Sequence, residues 1–120
     1  MKLATIRITN LKLRTIIGIY DWERETKQDI VINITINYDA RTAGVGDNIK
    51  DAIDYKAITK TIIKKVEGSS FFLLEKLAKT ILDLVMDNHL IKDATVRVDK
   101  PLALRFADSV SVELSQKKLS

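Results

Sequence analysis

Lys100 is the residue whose type and position most directly suggest chemistry. It ends a strand-like run, Ala94 to Lys100, and is followed by Pro101, Leu104-Arg105 and Ala107-Asp108-Ser109-Val110-Ser111, where a second strand-like run begins. A lysine at a strand end beside a turn is well placed to transfer a proton, whereas most such lysines are merely solvated. What the chain lacks narrows the alternatives. It has no cysteine, which excludes disulfides and thiolate chemistry. Its one histidine, His89, nearly excludes a zinc site built from His and Cys within one chain. His89 follows a helical pattern and reads as a surface residue near a helix C-terminus.

The elements that must position Lys100 follow from periodicity. Thr5 to Ile17 alternates apolar and polar residues on either side of an irregularity near Asn10, and Gly18 ends the run. Asp21 to Lys27 reads as a polar connection. Asp29 to Tyr38 is a strand with Ile30, Ile32, Ile34 and Ile36 on one face. Arg41 to Asp51 is loop-like, with Gly44, Gly46, Asp47 and Asn48 as turn formers. Asp54 is placed to cap a helix from Tyr55 to about Val66, whose buried stripe is Ile58, Ile62 and Val66. Gly68 closes it, and Ser69 or Ser70 can cap a second helix from about Phe71 to Asn88. Two strands follow, the last over Ser109 to Ser115, and the tail from Gln116 is expected to fray.

The predicted fold class is therefore α+β in two layers, strand-strand-helix-helix-strand-strand. Two amphipathic helices would cover a four-stranded antiparallel sheet and bury Ile32, Ile34, Val96, Val98, Val110 and Val112. The opposite face carries Thr5, Arg7, Thr9, Asn33, Thr35, Arg97, Ser111 and Glu113. It suits either open solvent or the wet interior of a barrel closed by several subunits.

With 120 residues, the chain suits one domain over residues 1–120. At 46% hydrophobic and 30% charged, it has an ordinary globular composition. No apolar run reaches the ~20 residues needed to span a bilayer, and the N-terminus alternates too strongly for a signal peptide. Cytoplasmic residence is the expectation. The net charge of +4 can favour anionic ligands such as phosphates or nucleic acid, although on composition alone a solvated surface is the preferred reading.

Four segments together carry a family resemblance: Gly18 to Gln28, Asp47 to Tyr55, Phe72-Leu73-Leu74-Glu75-Lys76-Leu77, and Lys100 with the run to Ser111. They resemble the dihydroneopterin aldolase and dihydroneopterin triphosphate epimerase family from about Ile6 to Leu114. Leu11 to Ile19, Gln28 to Asn33 and Ala103 to Ser111 look like the epimerase branch, while Tyr20-Asp21-Trp22-Glu23 looks more like aldolases. The resemblance implies the tunnelling fold, in which four subunits close one barrel, and a homo-oligomer (tetramer or octamer) with sites between subunits.

It also implies roles. Lys100 is the catalytic general acid/base. Tyr55 enters the site from a neighbouring subunit, and Glu23 lies near the reacting hydroxyls. Glu75 clamps the pterin ring through two hydrogen bonds. Leu74 and Ile19 line the substrate site. The implied reaction is a retro-aldol cleavage of the dihydropterin side chain. The pterin itself is the electron sink, so no metal or cofactor is expected, and the expected partner is a small dihydropterin. Lys12, Arg14 and Arg105 are candidates to meet a triphosphate. Lys100 is expected to be partly desolvated or near another cation such as Arg105, either of which would ease its deprotonation.

The epimerase reading is favoured over the folate-pathway aldolase. A basic RNA-binding module is the remote alternative. Against it, the strands carry no aromatic stacking motif, and no glycine-rich phosphate loop is present.

Overall fold

The computed structural model describes residues 3–119. In chain order its elements are β1 (Leu3–Ile17), α1 (Asp21–Glu25), β2 (Gln28–Asp39), α2 (Arg41–Gly46), a 3-10 turn (Ile49–Asp51), α3 (Tyr55–Glu67), β3 (Ser70–Phe71), α4 (Leu74–Met86), β4 (Ile91–Pro101) and β5 (Ser109–Lys117). The sheet order is β3-β1-β2-β4-β5. The fold is α+β, and α3 and α4 cover one face of the sheet.

Several expectations are corrected. The sheet is five-stranded and mixed, not four-stranded and antiparallel: Ser70 and Phe71 pair in parallel with Ile16 and Ile17. The second helix accordingly begins at Leu74 rather than Phe71. The cause is local. Phe71 is buried, and its carbonyl accepts from the Gly18 amide at 3.1 Å, so the edge of β1 competes for this segment. Neither Ser69 nor Ser70 caps α4, whose N-cap is Leu73. The connections Asp21–Lys27 and Arg41–Asp51 each contain a short helix. The tail is paired as far as Lys117, and Lys118 donates through its amide to the Lys92 carbonyl and through Nζ to that of Asn88.

The irregularity near Asn10 decides which side chains reach the core. The register with β2 shifts between Ile8 and Leu11, and Asn10 has φ of 55°. Ile6 and Ile8 pack against the core before the bulge; Leu11, Leu13, Thr15 and Ile17 face it afterwards. A period of two would otherwise turn the second set outward. Asn33 steadies the bulge by accepting from the Asn10 amide and donating to its side chain.

On β2, Ile30, Ile32, Ile34 and Ile36 are fully buried, as are Val96 and Val98 on β4. Val112, on edge strand β5, is half-buried and packs against this core, and Val110 is also half-buried. Asp54 caps α3 by accepting from the Ala57 amide at 2.9 Å. Thr15 is buried and polar, and its hydroxyl lies 2.7 Å from the Val66 carbonyl and 3.1 Å from that of Ser69. It thereby joins the end of β1 to the end of α3.

Candidate active site

The core face of the sheet does not stop where the helices stop covering it. On β2 the buried parity runs Ile36, Ile34, Ile32, Ile30 and then Gln28. On β4 it runs Ala94, Val96, Val98 and then Lys100, whose strand partner is Val110. Polar side chains thus occupy the last inward-facing positions, at an open end of the core. Lys100 is nevertheless well covered, with its side chain 13% exposed.

Glu23 meets it there. Gly18, at φ 134°, turns the chain out of β1, and the single turn α1 folds Glu23 back over that turn. Glu23 Oε1 accepts from the amides of Ile19 and Tyr20, each at 3.2 Å. Oε2 accepts from Gln28 Nε2 at 3.4 Å and from Lys100 Nζ in an ion pair. The residue is 4% exposed, a buried carboxylate within a connection whose sequence reads as polar. The hydrogen bond from Lys100 holds its carboxyl below the usual carboxylate range. Burial opposes this, while the Tyr20 amide, Gln28 and the positive charge of Lys100 reinforce it. The charged partner of Lys100 is therefore a carboxylate and not Arg105.

Sequence reasoning did not single out Arg24 or Gln28. Arg24 Nη1 donates to the carbonyls of Gly18 at 3.0 Å and Phe71 at 2.6 Å, and its guanidinium lies 4.0 Å from the centre of the Phe72 ring. Gln28 also donates to the Ile17 carbonyl at 2.8 Å. Inward strand parity could have flagged Gln28. The role of Arg24 depends on β3, which has no sequence signature.

Around the Glu23–Lys100 pair lies a cavity of about 370 Å³, within the size range of small-molecule sites. Ile19, Trp22, Phe72, Leu74, Leu102 and Val110 contribute its apolar walls. Leu73, the N-cap of α4, also lines it and makes no side-chain cap bond. The first-turn amides of α4, which lack intrahelical acceptors, therefore open beside the cavity. Among the described residues, no group of three or more His, Cys, Asp or Glu side chains could hold a metal ion.

Of the residues expected from sequence, Lys100, Glu23, Leu74 and Ile19 share this cavity. Glu75 is next to Leu74 in the first turn of α4 but is exposed and does not line the cavity. Tyr55 is 51% exposed at the first position of α3. Val66, near the other end of α3, is the residue tied to Thr15, so Tyr55 lies about 16 Å back along the helix axis. Within one chain, Tyr55 does not line the Lys100 cavity.

The curled α+β fold is shared with solved dihydroneopterin aldolase structures. The chain superposes on the crystal structure of Escherichia coli dihydroneopterin aldolase in complex with neopterin with a TM-score of 0.89 and 30% identity, covering 94% of this chain and 98% of that one. The family model FolB, dihydroneopterin aldolase, matches residues 6–115. The chain belongs to this family and is an enzyme. It is 51% identical over 112 residues to dihydroneopterin triphosphate 2'-epimerase of E. coli K12, spanning 93% of each chain. To the dihydroneopterin aldolase of the same strain it is 32% identical over 105 residues, spanning 88% of this chain and 86% of that one. No helix among the described residues is long and apolar enough to cross a membrane.

Proposed function

We propose that this chain is a dihydroneopterin triphosphate 2'-epimerase. The observation that carries the reading is the 51% identity to an epimerase across nearly the full length of both chains, against 32% to an aldolase. The cavity supports it with suitable chemistry. The 2'-hydroxyl of the substrate gives up its proton and the C1'–C2' bond breaks. C2' becomes an aldehyde, while the bonding electrons enter the C6=N5 unit of the dihydropterin, where N5 takes up a proton. Re-addition to the other face of the aldehyde inverts C2'. Reprotonation of C1' instead yields 6-hydroxymethyl-dihydropterin, the product of an aldolase. The ring is the electron sink, and the protein has to supply proton transfer and orientation.

Lys100 acts as general acid/base at the side-chain hydroxyls, and Glu23 orients it. The ring lies between the apolar walls from Ile19 and Leu74. The free amides at the start of α4 suit a ring carbonyl, and Glu75 accepts from the ring's amino group and N–H. Tyr55 arrives from a neighbouring subunit, in a barrel closed by four subunits whose pairs can stack as an octamer. The position of Tyr55, far along α3 from Thr15, supports a shared site. The enzyme acts in the cytoplasm on a small soluble substrate.

The test is product analysis. Purified protein with chelator is incubated separately with dihydroneopterin and its triphosphate, and the products are resolved by chromatography. Predominant 2'-epimer from the triphosphate is expected. Predominant hydroxymethyl-dihydropterin from the unphosphorylated substrate would instead establish an aldolase.

A further inference from the structure

Resting on that reading, an open question is what holds the aldehyde fragment while its carbonyl turns over. In the triphosphate substrate, this fragment carries the whole anionic tail once C1'–C2' has broken. If it leaves, the enzyme is a lyase; if it stays, C2' can be inverted. A cation at the mouth of the cavity would decide between these fates.

The structure sorts the basic residues that could serve. Lys12 and Arg14 line a separate cavity with Leu13, Asp29, Val31 and Pro101, which shares no residue with the catalytic one. Arg14 is moreover engaged by Asp29 at 3.1 Å and by the Lys27 carbonyl. Arg24 is committed to two backbone carbonyls and the Phe72 ring. Lys100 is held by Glu23.

Arg105 remains. It lies in the β4–β5 connection, which leaves the strand at the catalytic lysine. Leu102 and Ala103 of that connection line the cavity. Two residues of chain span at most about 7 Å, so the Arg105 backbone lies close to the mouth. The connection is closed at its base by the Leu102 amide, which donates to the Asp108 carbonyl at 3.2 Å, and Leu102 takes φ of 62° there. The Ala107 amide donates to the Leu104 carbonyl at 3.4 Å. Arg105 is exposed, and its guanidinium stands 5.4 Å from the centre of the exposed Phe106 ring. Stacking restricts the rotamers of a long side chain and leaves the planar donor edge outward. Among the described residues, Arg105 forms no salt bridge.

We infer that Arg105 grips the triphosphate tail at the cavity mouth and retains the cleaved aldehyde fragment, biasing turnover toward epimerisation over release. A guanidinium suits this task because it donates in a fork to phosphate oxygens and stays charged. It contacts a part of the substrate remote from the bond that breaks, so its effect is on selectivity and product partition.

The experiment compares wild type, Arg105→Ala and Arg105→Lys with dihydroneopterin triphosphate and with dihydroneopterin. Inorganic tripolyphosphate is the competitor. In Arg105→Ala, the ratio of kcat/KM for the triphosphate to that for the unphosphorylated substrate should fall by about ten-fold or more, the loss expected for a charged hydrogen-bonding partner. Inhibition by tripolyphosphate should weaken by a similar factor. The share of hydroxymethyl-dihydropterin among products from the triphosphate should rise, with Arg105→Lys intermediate. An unchanged ratio, or equal losses on both substrates, would overturn the inference while leaving the epimerase reading intact. If wild type converts neither substrate, both fall together.

Discussion

Glu23 and Lys100, 77 positions apart, are ion-paired at the open end of the core, and each is placed by a different rule. Lys100 occupies the next inward position after Ala94, Val96 and Val98. Glu23 is brought in by the single turn that follows Gly18. The pair joins the β1–β2 connection to the end of β4, and its chemistry should be visible in stability as well as in turnover.

The first prediction concerns acid. The folded-state pKa of Glu23 lies below its ordinary 4.5, so the carboxylate stabilises the fold at neutral pH. That contribution is present above the unfolded-state value and is lost as pH falls through it toward the lower folded-state value. Glu23→Gln removes this titration and leaves Lys100 without its partner. The cost at pH 7 should be about 2–3 kcal/mol, below the ~3–5 kcal/mol of a fully buried broken pair because the cavity mouth can rehydrate the ammonium. Urea midpoints at pH 7 and near pH 3 check this: the gap between wild type and variant should narrow in acid. A gap that stays constant or widens would show that Glu23 is not stabilised as a carboxylate.

Gly18 has no room for a side chain. Its φ of 134° strains any L-residue, and a Cβ there would run into the Glu23 carboxyl group. Gly18→Ala should therefore cost about 2–4 kcal/mol, combining backbone strain with displacement of Glu23. Activity should fall further than stability explains, because the displaced carboxylate no longer positions Lys100. Thermal unfolding and turnover measured on the same sample would separate the two effects.

Arg24 joins β1 to β3 from outside the cavity. Arg24→Ala removes two hydrogen bonds to carbonyls and a stacking contact with Phe72, and should destabilise by about 2–3 kcal/mol. Arg24→Lys keeps the charge but loses the fork, and should recover less than half of that. Hydrogen exchange would place the loosening at the Gly18 amide, whose bond to the Phe71 carbonyl lies beside the clamp. Full protection there in Arg24→Ala would contradict the clamp.

These residues differ in how readable they were. Lys100 was legible as a strand-end lysine because β4 keeps a clean period of two, and its inward parity follows from the same alternation. The bulge at Asn10 was legible because the alternation resumes out of phase. Glu23 was legible only through the family resemblance: by its own pattern, a carboxylate in a five-residue turn looks solvated until a lysine from the far end of the chain and two backbone amides are folded around it. β3 was hidden for another reason. Two residues have no periodicity, and Phe71-Phe72-Leu73-Leu74 runs into the apolar stripe of α4, so the pattern reads as one helix. Thr15 shows the same limit, since its burial depends on carbonyls at the end of α3.

The last prediction tests whether the site is shared. Tyr55 starts α3, Val66 near its other end is tied to Thr15, and the eleven residue steps between them measure about 16 Å along the axis. A tyrosine there would reach the Lys100 cavity of a second copy rather than its own. Lys100→Ala and Tyr55→Phe should each lower kcat by about 10²-fold or more, as expected for lost proton transfer. When the two variants are unfolded together and refolded as a mixture, some interfaces will pair an intact Lys100 with an intact Tyr55. For random equal mixing at a head-to-tail interface, about a quarter of the sites are restored. Activity of the mixture should rise to about that fraction of wild type, far above either parent. A mixture no more active than the mean of its parents, with hetero-oligomers verified by mass spectrometry, would place Tyr55 outside the catalytic site.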